Sequence, residues 1–398
     1  MDKQRTVLVD KQYFLPFVLL TSLFFLWGFA HAILDVLNKH FQEMLDISKT
    51  HSALIQAMMY MGYFVMAIPA GLFINRFGYR SGVVFGLLLY GIGSLLFIPG
   101  QYFVSFNAFL FALFVIGCGL TFLETAANPY VTELGAKETA ASRLNFAQSF
   151  NGLGCICAPL LVGWFLFSET KEHPNSVAFP YACMGILVLF VASIFLRVKL
   201  PEIRHEAEVD KEGHRVGLWS HRLFIFGLIA LFAYEVAEIN YVVEQQWMDA
   251  RYASLVLSFG GLGLFMLGRF SGSWIMQRVS AERMLFWCAT GTVLTTTVVL
   301  FDLGIVSLIA LLCGYAFEAI MFPTIFALSL KGLGIHTKRA SSFLMMSPVG
   351  GVVGPLLMGV VADHTDSMVW AFVVPWVAYV VVWFYARKML SQRITLSK

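Results

Sequence analysis

Four carboxylates stand inside apolar stretches of this chain, and their spacing suits proton movement. Asp35 follows Phe29-Ala30 and Glu238 follows Phe232-Ala233, while Glu124 precedes Pro129 and Glu318 precedes Pro323 at equal distance. The second pair overlies the first after a shift of about half the chain length. An acid inside a membrane helix is costly, so it faces a partner or a watery cavity and marks an ion or substrate pathway. A carboxyl held away from water resists ionisation and can therefore load and release a proton near neutral pH. Duplicated halves carrying such acids imply solute transport driven by an ion gradient.

Other polar residues in the same stretches could hold the solute. Glu124 and Asn128 are spaced to share one helix face, as are Gln148 and Asn151. Carboxylates and amides complement a ring of hydroxyls that donate and accept, so these four side chains could bind a neutral sugar. The competing role is hydrogen bonding between helices, which polar residues in membranes often provide. Glu235 and Glu238 share a face and cannot comfortably both ionise. Glu318 answers to Glu124 in the second half, with helix packing as its rival role. Trp27 and Tyr63 present rings that could stack on a sugar or simply pack. Arg269 is expected to snorkel to the nearby cytoplasmic boundary.

The elements that must carry these residues are membrane helices. Hydrophobic residues make up 59% of the chain and charged residues 13%, a balance no soluble fold can bury. Apolar runs long enough to cross a hydrocarbon core of about 30 Å predict twelve spans. Their limits are 14–38, 52–75, 81–99, 105–132, 142–167, 178–197, 222–247, 252–277, 283–301, 304–330, 340–362 and 368–387. The first run is too long for a signal-peptide core and reads as an uncleaved span. Lys and Arg in the short loops, among them Arg76, Arg80, Lys137, Arg143, Arg278, Arg283, Lys331, Lys338 and Arg339, fall on one side, which predicts that both termini are cytoplasmic.

The net charge of +3 is explained by this topology, so no nucleic-acid partner is expected. The six cysteines lie in predicted helices without metal or redox spacing and read as packing residues. The strongly polar segment 199–221 separates a six-helix bundle over 1–198 from a second over 222–398. Helix five carries Pro159-Leu160-Leu161-Val162-Gly163 and helix eleven Pro355-Leu356-Leu357-Met358-Gly359, each after a glycine cluster: Gly152 and Gly154, then Gly350, Gly351 and Gly354. Small residues let helix backbones approach closely in a bilayer.

Between helices two and three the chain reads Gly71-Leu72-Phe73-Ile74-Asn75-Arg76-Phe77-Gly78-Tyr79-Arg80, with an echo at Gly272, Ser273, Gln277, Arg278 and Arg283. Gly71 suits a close contact, Gly78 a tight turn, and Arg76 and Arg80 can pair with acids or helix carboxyl ends. This resembles the loop signature of the major facilitator superfamily. The resemblance implies an all-α integral membrane protein of twelve helices in two pseudo-symmetric six-helix bundles, with the binding site between them.

Several blocks resemble the fucose permease branch, sugar:proton symporters for fucose, galactose and glucose. They are Leu23 to Ala30 leading to Asp35, Gly62-Tyr63-Phe64 with Ile68-Pro69-Ala70-Gly71, Leu123 to Tyr130, Arg143 to Asn151, Gly268-Arg269-Phe270 and Pro323 to Phe326. The resemblance implies that Asp35 and Glu124 couple protons to sugar. It also implies that Gln148 and Asn151, joined by Asn128, Glu235, Glu238, Trp27 and Tyr63, line the sugar site. Fucose members place asparagines just before the helix-one acid, where this chain has His31-Ala32-Ile33-Leu34. A hexose, a deoxyhexose or a hexosamine therefore remains open.

The expected function is proton-coupled import of a small neutral sugar at the inner membrane by a monomer, with the proton as coupling ion and no other cofactor or metal. Asp35 lies toward the outer end of helix one and Glu124 past the middle of helix four, so the two suit proton exchange with opposite sides. Antiport or facilitated diffusion of another small polar solute, and a transport-dead sugar sensor, are the alternatives. No nucleotide-binding loop and no paired-His motif stands in the chain, so no enzyme is expected.

Overall fold

Inside a bilayer no water satisfies backbone N–H and C=O groups, so apolar segments must close their own hydrogen bonds as helices. The computed structural model describes residues 8–45, 49–166, 178–198, 217–237 and 260–396. Within them the helices are α1 (Phe14–Leu45), α2 (Lys49–Leu95), α3 (Phe97–Tyr102), α4 (Phe106–Glu133), α5 (Ala140–Leu166), α6 (Ala178–Arg197) and α7 (Arg222–Ala237). There follow α8 (Gly263–Ile275), α9 (Ala281–Leu300), α10 (Ile305–Glu318), α11 (Met321–Leu330), α12 (Thr337–Leu344), α13 (Gly350–Thr365), α14 (Met368–Ala371) and α15 (Val373–Leu396). The side chain of Asp35 and the whole of Glu238 lie outside the described residues.

At 47 residues, α2 would run about 70 Å if straight, more than twice a hydrocarbon core of about 30 Å. It is divided at Gly78, whose φ of 86° and ψ of 167° break the helix. Only glycine takes this conformation without strain. The expected second and third spans are the two limbs on either side. Among the described residues, eight helices are long and apolar enough to cross a membrane by length and composition. Counting the one over Leu54–Tyr102 twice and adding α5, α7 and α8 accounts for all twelve expected spans. The site-bearing α5 carries Ser142, Arg143, Asn145, Gln148, Ser149 and Asn151 along its first half.

In the first half α1 packs on α5, and α2 on α4 and α6. In the second, α7 packs on α11, α13 and α15, and α9 on α10 and α15. Glycines set close backbone-to-backbone approaches at matching places. A methyl group added to Gly28 would stand 2.1 Å from the carbonyl oxygen of Asn151, and one on Gly154 2.3 Å from that of Phe25. In the second half a methyl on Gly354 would stand 2.2 Å from the carbonyl oxygen of Val236. The α1–α5 and α7–α13 seams are thus built on the same device, as the two glycine clusters suggest.

Arginines close helix ends. Arg80 donates from Nε to the Phe195 carbonyl at 3.1 Å and from Nη2 to that of Leu196, filling acceptors at the end of α6. Arg143 is fully buried and wraps the end of α4, donating to the carbonyls of Val131 (3.1 Å), Thr132 (2.6 Å) and Ala136 (2.9 Å). It also reaches the Leu8 carbonyl at 3.3 Å, which seats the N-terminal segment on the same face. On the second half Glu282 is buried and paired with Lys331 at 2.9 Å and Arg393 at 2.7 Å, so the last helix is tied to that face as well.

The two halves meet where these ends lie. Ser142 of α5 donates to the Ser273 carbonyl of α8 at 2.7 Å, and Ser273 returns a bond to the Ser142 carbonyl at 2.8 Å. Asn145 Nδ2 donates to Thr324 Oγ1 at 3.0 Å. Lys338 Nζ sits 4.9 Å from the centre of the Tyr79 ring, which stacks on Tyr130. Gly71 lies directly against the Ser342 side chain. The protein is therefore closed on the face that carries Leu8 and Arg393.

Candidate functional site

Proline explains the geometry around the acids. A proline inside a helix has no N–H for the carbonyl four residues back, so Pro129 frees the carbonyl of Thr125 and Pro323 that of Ala319. Each freed carbonyl adjoins an acid, Glu124 or Glu318, and each has found a side-chain donor. Ser341 Oγ of α12 donates to Thr125 O at 3.0 Å. Arg269 Nε of α8 donates to Ala319 O at 3.0 Å. The matched spacing of acid and proline thus places a carboxyl beside an open backbone acceptor in both halves.

Glu124 is 6% exposed, and its Oε1 accepts a hydrogen bond from the Tyr63 hydroxyl of α2. Tyr63 lies 5.8 Å from the His31 ring and 6.5 Å from that of Tyr60. Glu235 of α7 is also buried and lies within electrostatic reach of the Tyr63 hydroxyl. One turn beyond Glu124, the fully buried Asn128 accepts from Gln148 Nε2 at 3.3 Å and places its own Nδ2 3.6 Å from Met345 Sδ. Carboxylate, phenol and amides from α2, α4 and α5 are thereby joined in one polar strip along the seam between the halves.

The Asn151 amide has two settings. With its oxygen turned to α1 it accepts from Trp27 Nε1 at 2.6 Å and from the Gly28 backbone N–H at 3.1 Å. Turned the other way, that oxygen faces Arg269 Nη1 at 3.4 Å. The first setting satisfies two donors at shorter range and is the one adopted. Trp27 is consequently an α1–α5 tie, buried with its ring 4.0 Å from that of Phe24, rather than an open stacking platform.

Further placements depart from the sequence reading. Arg269 does not snorkel: its head is 5% exposed and turned inward, donating to Gln148 O at 2.9 Å. Residue spacing does not single out Ser341 and Met345, although the proline rule applied to Pro129 points to a donor for Thr125. Glu318 is buried beside the Tyr379 hydroxyl of α15, so its phenol comes from the last span, whereas a mirror of Glu124 would take one from the eighth. Among the described residues no group of three or more His, Cys, Asp and Glu side chains could hold a metal ion.

The phenol is the closest partner of Glu124 and gives a direct prediction. Tyr63→Phe keeps the ring and removes the donor, and a hydrogen bond to a charged group contributes about 1.5–3 kcal/mol. Solute transport in proteoliposomes at saturating substrate should fall by about tenfold or more, an energy loss of about 1.4 kcal/mol per factor of ten. A Tyr63→Phe variant that transports as fast as the parent would show that this bond is idle.

Twelve membrane helices in two packed halves, closed at one face and with buried acids and amides along the seam, define a solute carrier of the alternating-access kind. The model of the Major Facilitator Superfamily matches residues 17–342, and the chain belongs to that superfamily. It is 34% identical to the L-fucose-proton symporter of Escherichia coli (strain K12), over 95% of this chain and 94% of the relative. It is also 34% identical to a glucose/galactose transporter of Brucella abortus biovar 1 (strain 9-941), over 94% of each. A crystal structure of the transporter FucP in the outward conformation superposes with a TM-score of 0.84 at 33% identity, covering 95% of this chain and 99% of that one.

Proposed function

We propose that this protein imports a small neutral sugar together with protons, through two six-helix bundles, 1–198 and 222–398, that rock about a site on their seam. The observation that carries this reading is the buried Glu124, held by Tyr63 and continued by Asn128 and Gln148 into a strip of sugar-compatible groups. The relatives named as fucose-proton and glucose/galactose transporters cover nearly the whole chain and support sugar as the solute class.

Glu124 takes the proton, with Asp35 as the second coupling acid on α1. Gln148 and Asn151, with Asn128, Glu235 and Glu238, bind the sugar hydroxyls. Glu318 is the candidate acid of the second half, and Gly71, Asn75, Arg76, Gly78 and Arg80 shape the loop across which the bundles move. A neutral Glu124 can cross between the two facing states at little desolvation cost, whereas an ionised one cannot. Proton loading thus licenses the conformational step. The protein works as a monomer in the inner membrane with both termini in the cytoplasm, and it needs no cofactor beyond the proton.

Proteoliposomes tested against hexoses, deoxyhexoses and acetylated hexosamines provide the test. The expected result is alkalinisation of the external medium when one of these sugars is added. Sugar entry with no proton movement would reduce the reading to facilitated diffusion, and proton release would make it antiport.

A further inference from the structure

Arg269 is a buried cation whose donors reach both halves. Its Nε serves Ala319 O within the second half at 3.0 Å. Its Nη1 serves Gln148 O of the first half at 2.9 Å and lies 3.4 Å from Gln148 Oε1. The Phe265 ring lies beneath the guanidinium at 4.4 Å, closing its remaining face. A buried cation is costly unless hydrogen-bonded on all sides. The described partners of Arg269 are neutral oxygens, so its planar fork, able to serve acceptors in two directions, is what the position uses.

The acceptors it joins are significant. Ala319 O is the carbonyl that Pro323 releases, one residue past Glu318 and at the break between α10 and α11. Gln148 belongs to the amide strip, since its Nε2 continues to Asn128. One guanidinium therefore connects the sugar-facing amides of the first half with the interrupted tenth span of the second. When the closed face opens, α5 and α8 separate, and the Nη1 bonds must break while the Nε bond moves with its own half.

We propose that Arg269 is a positioning residue that clasps the halves in the closed-face state and sets the Gln148 amide for sugar, linking occupancy of that amide to the break in span ten. This rests on the transport reading given above. Without the clasp, Gln148 loses its anchor and the closed-face state loses a cross-half bond that opening must otherwise break. Both consequences are measurable and separate from folding.

The test uses the full-length protein with the reporter substitution Ser342→Cys, because Ser342 is 3% exposed and sealed against Gly71 of the other half. Labelling by a membrane-impermeant maleimide added at the face of Leu8 and Arg393 reads opening of that face, with the protein lacking the reporter as background. Arg269→Gln is expected to speed labelling by about tenfold or more and to raise the KM for sugar exchange by a similar factor, as fits the loss of charge-assisted hydrogen bonds. Arg269→Lys keeps the charge but replaces the planar fork with a compact ammonium that does not hold both acceptors in the same geometry, so it should fold where the glutamine variant does not and give intermediate values of both.

Labelling or KM remaining at the parent value in the folded variants overturns the proposal. A lower yield with the reporter still sealed in the folded fraction also overturns it, because that is the behaviour of a purely structural arginine. The labelling arm needs no sugar. A parent protein that moves no sugar at all therefore refutes the transport reading, while the clasp is still judged by labelling.

Discussion

Glu124→Gln should abolish uphill sugar accumulation while leaving sugar exchange across the membrane largely intact. Glutamine matches glutamate in shape, and its carbonyl oxygen can still accept from the Tyr63 hydroxyl that Oε1 binds in the native protein. What disappears is titration. If the protonated acid is the species that crosses between states, a permanently neutral side chain removes the need for a proton and with it the drive. Exchange of labelled for unlabelled sugar on the two sides requires only the binding strip and the rocking motion, so its rate should stay within about threefold, as expected for substitutions of under 1 kcal/mol. Net uptake driven by an imposed pH gradient should stop when inside and outside concentrations are equal. A Glu124→Gln variant that still concentrates sugar against its gradient would remove Glu124 from the coupling path and leave Asp35 as the acid to test.

The same site shows how far residue types and spacing reach. The acids, the amides on α4 and α5 and the halving of the chain are legible because buried polarity in lipid is rare and the duplication repeats its register. Span limits also follow from hydropathy, since lipid enforces helix on any apolar run of sufficient length. What escapes is pairing across helices. Tyr63 stands out as a ring, yet its hydroxyl on Glu124 depends on how α2 and α4 rotate against each other. Trp27 looks equally available, and the structure commits its indole N–H to Asn151.

Arg269 departs from its expected place for a different reason. Depth along a span suggests snorkelling, but an acceptor left open by Pro323 and another on α5 draw the head inward. The local rule that proline frees a carbonyl is available in the sequence, and only its donor is not. Helix breaks show the same limit: Gly78 as a turn is legible from its neighbours, whereas the interruption at Ala319 and Ile320 becomes clear only with the packing around Pro323.

Gly154→Leu should prevent the first bundle from assembling, and Gly354→Leu should do the same to the second. At Gly154 an added carbon meets the carbonyl oxygen of Phe25 at 2.3 Å and the backbone N of Phe29 at 2.8 Å; at Gly354 it meets the Val236 carbonyl oxygen at 2.2 Å. The obstacles are backbone atoms, so no rotamer change relieves them, and the helices must move apart. Overpacking a core costs about 1–3 kcal/mol where side chains can yield, and a backbone collision lies at or beyond the upper end of that range. Separating α1 from α5 would also pull Trp27 Nε1 from the Asn151 amide, leaving a buried donor unmet at a further cost of about 1–3 kcal/mol. Gly359→Leu is the matched control, since nothing stands within 4 Å of a carbon added there. Size-exclusion profiles of detergent-solubilised protein should show loss of the monodisperse peak for the first two and its retention for the third. Equal loss at all three positions would mean that leucine disturbs any glycine of these helices, and the two close seams would no longer account for the assembly of each half.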